Sequence, residues 1–375
     1  MSEITREQFL AERSPRRGAG NPQRMCVPVW EWLVRAEISA WEANQKFQGP
    51  DPSDAGPGWC FDRHGCSRTE LPDGRVVHIA GEHEDHYDPD FYIYNDVVVR
   101  YPGDRVAIFG YSEHAFPPTD FHSATLVGDQ IVVLGNLGYP ERRCPGHTPV
   151  HLLHLDALRF SELATRGDAP GWIFKHTAEL ADDGNTLVVR GGTIHHEHDV
   201  LRDNVDDFAL ALPQGTWTRL TRRPWQQWAV HRADGDDLLL FFMELAALYT
   251  QFPDARPDGP ANPALAAAGV ETDPFVALKQ AGCRFDLATY RQLYHGVGLG
   301  DPAGEWEHPV RARYRLDAAE VTYEESSDAV RLKVVGHVET ARVRALCEEL
   351  RAKLERLQGT ACVVAFEGGN GRDDR

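Results

Sequence analysis

The sequence predicts a mainly β protein with α+β additions. Three observations support this fold class: a stretch that recurs three times in the front half, an amphipathic helix before it, and a β-β-α-β pattern near the C-terminus. The copies occupy residues 64–81, 122–135 and 176–192. Each copy reads histidine, short strand, Gly/Asp turn, apolar strand and glycine, which is the alternation of strands and turns expected of antiparallel β-structure.

The spacing of the repeats predicts how the strands are grouped. The closing glycines Gly81, Gly135 and Gly191 lie about 55 residues apart. Repeats of this length built from short strands are typical of propeller blades or an open array, not of one continuous sheet. Two further predicted strands follow each copy, so each unit supplies the four strands of one blade. Residues 225–241, with Asp234-Gly235 as a turn, resemble the degenerate beginning of a fourth repeat. The repeat domain is therefore predicted to cover residues 59–242.

The segments around the repeats differ in composition. Residues 1–58 are predicted to contain a polar segment and then an amphipathic helix that Pro28 opens. The apolar face of this helix contains Trp30, Leu33, Val34, Ile38 and Trp41. Residues 243–320 are predicted to be a helix and a linker rich in Pro and Ala.

The last part of the chain predicts a second, smaller module over residues 321–367. Its elements are strands at 321–323 and 329–335, a helix at 339–357 and a strand at 361–366. This order is typical of a small α+β layer. Residues 368–375 are predicted to be a disordered tail.

Charge and composition exclude several classes of function. The 375 residues carry a formal net charge of −18, which disfavours nucleic acid and anionic membranes as partners. The longest apolar run, residues 238–243, is too short to cross a bilayer. The N-terminus is charged and has no apolar signal-peptide core. Seven irregularly spaced cysteines indicate neither a disulfide framework nor a metal motif. We therefore expect a cytoplasmic protein without membrane or nucleic-acid partners.

The second copy resembles a kelch repeat of the galactose-oxidase-like β-propeller superfamily. It reads His-Ser-Ala-Thr, a Gly-Asp turn, Ile-Val-Val and then glycine, and Phe160 and Trp217 occupy the place of the late kelch aromatic. The resemblance covers roughly residues 59–225 and extends to kelch-like bacterial proteins without an assigned activity. It implies a kelch-like β-propeller of few blades: a four-bladed ring, an open array, or a ring completed by another chain. It also implies that His64, His122 and His176 are structural.

Two loops rich in histidine and acids are the candidate site. Residues 81–90 and 191–199 both follow the closing glycine of a repeat, and in a propeller such positions share one rim. Imidazoles and carboxylates bind zinc, manganese or iron. The candidate metal ligands are His83, His86, His195 and His198, and Glu84 and Glu197 are candidate acid–base groups. The alternative is that these are solvated loops that keep the surface soluble, because neither loop has a spacing such as HExxH.

Two functions of different classes follow from these patterns. The preferred hypothesis is a binding module that presents the His/acid-rich rim to a protein or small-molecule partner, with the C-terminal module adding a second contact or an oligomerisation surface. The alternative is a metal-dependent hydrolase or lyase whose divalent ion is held by the two rim loops. No GxSxG, P-loop, Rossmann or kinase signature occurs. Whether the protein is an enzyme therefore stays open at the level of sequence.

Overall fold

A computed structural model describes residues 4–83, 91–238 and 311–370. The chain divides into two compact units, with the boundary between Arg222 and Arg223. Both units are built mainly from antiparallel sheets, which confirms the predicted mainly β class. None of the helices in the described part of the chain combines the length and apolar character that a membrane crossing needs.

The first unit begins with four helices. They are α1 (Arg6–Glu12), α2 (Pro28–Ala36), α3 (Ala40–Phe47) and α4 (Pro52–Ala55). The single helix predicted from Pro28 onward is therefore two helices. Glu37 ends α2 in the left-handed conformation (φ 53°), and the Ser39 side chain caps α3 by accepting a hydrogen bond from the Glu42 N–H. The break turns Trp41 outward, where it is 53% exposed, although the prediction had placed it on the buried face.

The described part of the first unit also contains nineteen strands, of which the first lies between α1 and α2. They are β1 (Gln23–Arg24), β2 (Ser67–Glu70), β3 (Val76–Ile79), β4 (Glu82–His83), β5 (Tyr92–Ile93), β6 (Val97–Arg100), β7 (Val106–Gly110), β8 (Ser123–Val127), β9 (Gln130–Leu134), β10 (Val150–His154), β11 (Arg159–Glu162), β12 (Arg166–Gly167), β13 (Trp172–Phe174), β14 (Thr177–Leu180), β15 (Thr186–Arg190), β16 (Thr193–His195), β17 (Leu201–Asp203), β18 (Phe208–Ala211) and β19 (Thr216–Arg219). Short 3-10 turns occupy Pro140–Arg142, Glu197–Asp199 and Leu212–Gln214.

Each predicted repeat forms one sheet with four strands in an antiparallel meander. The meanders are β2-β3-β6-β7, β8-β9-β10-β11 and β14-β15-β18-β19. The strand β1 extends the first sheet beside β7, and β12 extends the third in parallel beside β19. Two smaller sheets, β4-β5 and β13-β16-β17, lie in the loops. The four strands predicted for each repeat are thus present.

The three sheets pack face to face in chain order. Alternate residues of a strand point to opposite faces. In β9, Ile131 and Val133 therefore join a core with the first sheet, and Val132 and Leu134 join a core with the third. The other face of the first sheet carries Val98 and Ile108, which pack with Trp30, Leu33 and Val34 of α2.

Side chains connect the first strands of successive sheets. The imidazole Nε2 of His122 lies 2.8 Å from Ser67 Oγ in β2, and Nε2 of His176 lies 2.9 Å from Ser123 Oγ in β8. The residues before these histidines continue the series, since Phe121 N–H donates to Gly65 O and Lys175 N–H donates to Phe121 O. The structural role that the resemblance implied for these two histidines is thus a set of bonds between sheets.

His64 is not the counterpart of His122 and His176. Strand pairing aligns Ser67, Ser123 and Thr177, so the residue in the equivalent position of the first sheet is Cys66. His64 instead forms an isolated backbone bridge with Glu82.

The two residues that follow the second strand of each sheet also align differently in the first copy. They are Ala80 and Gly81, which match Gly135-Asn136 and Gly191-Gly192. The first residue of each pair adopts positive φ: 55° at Ala80, 78° at Gly135 and 60° at Gly191. The common feature is therefore a left-handed turn, and only two of the three copies fill its first position with glycine.

The second unit is one antiparallel sheet with one long helix. Its elements are β20 (Trp225–Arg232), β21 (Arg311–Leu316), β22 (Ala319–Glu325), β23 (Val330–Val335), α5 (Thr340–Gln358) and β24 (Cys362–Gly369). The strand order is β21-β22-β23-β20-β24. One face of α5, including Val343, Leu350 and Leu354, packs on Val321 and Val334 of the sheet.

Three boundaries of this unit differ from the prediction. Residues 225–232 are not the start of a fourth repeat, because β20 pairs with β23 and β24. The region 243–320, predicted to be helix and linker, contains β21 and the first residues of β22. The strand β24 continues through Gly369, into the predicted tail. The helix predicted for the region 243–320 and most of its Pro/Ala-rich linker lie in 243–310, outside the described residues.

Candidate functional site

The first histidine–acid loop begins as a two-residue strand. Glu82 and His83 form β4, which pairs with Tyr92 and Ile93 of β5. His83 is buried, and its Nδ1 lies 3.2 Å from the carbonyl oxygen of Asp62. That distance fits an imidazole that donates its Nδ1 proton to this carbonyl. Two of the predicted site residues, Glu84 and His86, lie outside the described residues.

The predicted site residues of the second loop differ in their solvent exposure. His195 ends β16 and is buried, and its Nε2 lies 3.0 Å from Oδ1 of Asp199. Its Nδ1 is buried and has no hydrogen-bond partner in the described structure. Glu197 and His198 lie in the exposed 3-10 turn that follows, where His198 has φ 60°. The loop therefore holds one imidazole inside and presents another to solvent.

Residues 136–148 form the loop of the second sheet, and hydrogen bonds connect this loop to those of the first and third sheets. The Ile93 N–H of β5 donates to the Tyr139 hydroxyl at 3.0 Å. On the other side, the Asn136 N–H donates to the Ile173 carbonyl of β13 at 2.9 Å, and the Trp172 Nε1–H donates to the Leu137 carbonyl at 3.1 Å. Trp172 is in turn the register partner of His195. We call the end formed by β4-β5, residues 136–148 and β13-β16-β17 the loop face.

A buried carboxyl group lies within the loop face. Asp120 is fully buried, and its Oδ1 accepts a hydrogen bond from the Gly138 N–H at 2.6 Å. Burial raises the pKa of Asp120, while the Gly138 N–H, Glu82 and Arg143 act in the opposite direction. The Asp120 N–H donates to the Asn136 side chain at 3.0 Å, which fixes the start of the 136–148 loop. This carboxyl was not among the predicted site residues, since a lone aspartate before a repeat carries no local signal.

The described residues do not complete a metal site. No group of three or more His, Cys, Asp and Glu side chains converges within residues 4–83, 91–238 and 311–370. Of the four predicted ligands, His83 and His195 are buried with one ring nitrogen each in a hydrogen bond, and His198 is exposed. A zinc site needs three or four converging ligands. The described donors therefore do not fit a divalent ion.

The comparisons with known proteins do not assign the chain to a family. No family model and no curated protein matches the chain. Among solved structures, the chain is similar to a protein called YjhT, at 13% sequence identity and a TM-score of 0.27. The match covers 43% of this chain and 52% of that one, so it spans about half of YjhT. A similarity of this size assigns neither a fold nor a function.

Proposed function

We propose that the first unit is a kelch-like array of propeller blades that serves as a binding module. Its loop face is the surface that contacts a protein or small-molecule partner. Three consecutive four-stranded meanders, joined through their first strands, support the array. Repeat arrays of this kind hold their loops on a rigid scaffold, and such loops are where binding residues concentrate.

One observation carries the proposal: hydrogen bonds join the loops of all three sheets into one surface. The Ile93–Tyr139 bond connects the first and second loops, and the Trp172–Leu137 bond connects the second and third. Segments far apart in sequence therefore form a single preorganised face, which lowers the ordering cost of binding.

The exposed part of this face has the composition of a contact surface. Val200 and Leu201 are 39% and 52% exposed, and they directly follow the exposed turn that carries Glu197 and His198. Adjacent aliphatic side chains beside an imidazole and a carboxylate offer both apolar area and hydrogen bonds to a partner.

The test compares two double variants of the full chain as baits. In H198A/L201A the loop face is altered, and in H154A/L180A one half-buried histidine and one exposed leucine outside it are altered. Proteins and small molecules that co-purify with each bait from cell extract are quantified by mass spectrometry. We expect a partner that the wild type and H154A/L180A retain and H198A/L201A loses. Equal retention by both variants, or no specific partner for the wild type, contradicts the proposal.

Elemental analysis of protein purified without chelators tests the metal-dependent alternative separately. Stoichiometric zinc, manganese or iron that disappears in both His83→Ala and His195→Ala would show that residues beyond the described ones complete a site. Such a result would replace the binding module by the hydrolase or lyase hypothesis.

A further inference from the structure

A pocket of about 360 Å³ opens on the first sheet, and its lining residues differ from those that define the loop face. Sequence reasoning did not single it out. Its lining consists of Glu37, Ile38, Phe61, Asp62, Arg63, Cys66, Arg68 and His78. This volume falls within the usual range for small-molecule sites.

Strand register explains why the pocket forms at this place. Arg68, His78, Val98 and Ile108 are successive cross-strand partners, so they form one row on one face of the first sheet. Helix α2 packs on Val98 and Ile108 and then ends at Glu37. The Arg68–His78 end of the row lies beyond that packing, and Ile38 and Phe61 border the space above it.

Arg68 is the cation of the pocket that can exchange its partner. Arg63 is held in a buried pair with Asp96, with N–O distances of 2.5 and 3.1 Å. Arg68 instead pairs with Glu70 at 2.7 Å, and the two side chains are 56% and 68% exposed. Exposed pairs of this kind contribute little and exchange readily. Asp62 is exposed, and Glu37 is 63% exposed beside Arg100, so water screens both carboxylates of the lining.

His78 lines the pocket with a half-buried imidazole ring. Its Nε2 is buried and has no hydrogen-bond partner in the described structure. Burial, followed by Arg68, Arg100 and Arg63, lowers the pKa of His78 to about 4, so the ring is neutral at pH 7 and lies in a positive field.

The remaining lining residues favour a ligand with an apolar, planar ring. The Phe61 ring meets the His78 ring edge-on, with centroids 5.0 Å apart, and Ile38 adds aliphatic surface. Burial raises the pKa of the Cys66 thiol to about 11, so this residue is a neutral wall and not a nucleophile.

We propose that this pocket binds a small aromatic carboxylate. The carboxylate accepts hydrogen bonds from the Arg68 guanidinium, and the ring packs between Phe61 and Ile38. The ion pair places the carboxylate on the accessible cation of the lining, and the ring removes the apolar walls from water. The inference is independent of the function proposed for the loop face.

Titration calorimetry with sodium benzoate on the full chain tests the proposal. We expect one site with a Kd on the order of 1 mM, as for a ligand of this size. Benzyl alcohol has the ring without the charge, and we expect it to bind at least about tenfold more weakly. Arg68→Gln is expected to weaken benzoate by about tenfold, and Ile38→Trp, which fills the space, is expected to abolish binding.

Arg190→Gln is the matched control, because Arg190 also lies on a strand in an exposed pair, with Glu179. It should bind benzoate like the wild type. Far-UV circular dichroism and thermal melting establish that each variant is folded. No heat of binding at about 20 mM benzoate, unchanged affinity in Arg68→Gln, or equal affinity for benzyl alcohol overturns the proposal.

Discussion

The imidazole Nε2 of His176 lies 2.9 Å from the hydroxyl oxygen of Ser123, a residue of the preceding sheet. His122 and Ser67 repeat this relationship one sheet earlier, at 2.8 Å. Both histidines are buried, so their polar atoms depend on protein partners. The hydroxyl of one sheet thus satisfies a nitrogen of the next, and the stability of the array depends on side chains as well as on its apolar cores.

Replacing Ser123 by alanine should therefore destabilise the first unit. The change leaves Nε2 of His176 buried without a partner, and we expect the free energy of unfolding to fall by about 1–3 kcal/mol in urea titrations. The control is Ser161→Ala, since Ser161 makes the same 2.9 Å contact with His154 on the exposed surface. A cost for Ser123→Ala no larger than that of the control would contradict the structural role.

The buried histidines should make stability depend on pH. Burial lowers the pKa of His122 to about 3 and that of His176 to about 4, against about 6.5 in an unfolded chain. As pH falls from 6.5 towards 4, the unfolded chain takes up protons that the native chain does not. The free energy of unfolding then decreases by roughly 1.4 kcal/mol per pH unit for each such histidine.

The variant His176→Gln isolates this contribution. Its free energy of unfolding, measured between pH 6.5 and 4.5, should change less steeply with pH than that of the wild type, by about the contribution of one histidine. His154→Gln, at a half-buried position, serves as the control for the loss of an imidazole. Identical slopes for wild type and His176→Gln would show that the imidazole is not held neutral by burial.

Two adjacent glycines should respond very differently to alanine. A Cβ at Gly192 (φ 80°) would lie 2.6 Å from the Phe174 carbonyl oxygen and 2.7 Å from Cβ of His176. At Gly191 (φ 60°) a Cβ would meet nothing within 4 Å. We expect Gly191→Ala to cost about 1–2 kcal/mol for its left-handed backbone. Gly192→Ala should cost clearly more by chemical denaturation, and equal costs would argue against this close packing.

The Arg63–Asp96 pair should be far more sensitive than a surface pair. Asp96 accepts hydrogen bonds from Arg63 and from the Trp59 indole N–H at 2.9 Å, and the Arg63 side chain is buried against Tyr94. Burial would lower the pKa of Arg63, but Asp96 outweighs it and raises the pKa.

Asp96→Asn leaves that guanidinium charge uncompensated, so we expect a loss of about 3 kcal/mol in the free energy of unfolding. Asp168→Asn, which breaks the exposed pair with Arg222, should cost less than about 1 kcal/mol. Similar costs for the two changes would contradict the burial of the Arg63 charge.

Local patterns predicted the strands well, because neighbouring residues determine both the alternation of apolar and polar side chains and the turns. For example, two further strands were predicted after the first copy, and β6 and β7 lie there. Patterns did not predict partners: β20 reads like another repeat strand, yet it pairs with β23 and β24 about a hundred residues later. The alignment of His64 with His122 was wrong because strand pairing places Cys66 at that position. The Cys66 thiol hydrogen-bonds the carbonyl of its neighbour Ser67.

The candidate site was predictable only in part. The histidine clusters drew attention to His83 and His195, but sequence alone could not show that both are buried and separated from the exposed Glu197 and His198. The Trp172–Leu137 bond that joins two loops, and the Arg68–His78 pairing below the pocket, depend on register between strands. Register of this kind is set by tertiary packing, so no local motif reveals it.

The Ser–His junction has a consequence for how such a chain can evolve. Ser67 and Ser123 hold equivalent positions, as do His122 and His176, so excision of the middle sheet would set His176 against Ser67 with the same pair of atoms. Duplication of that sheet would likewise recreate a hydroxyl–imidazole contact at each new boundary. Tandem gene rearrangements could therefore lengthen or shorten the protein by whole modules and keep this polar contact at every boundary.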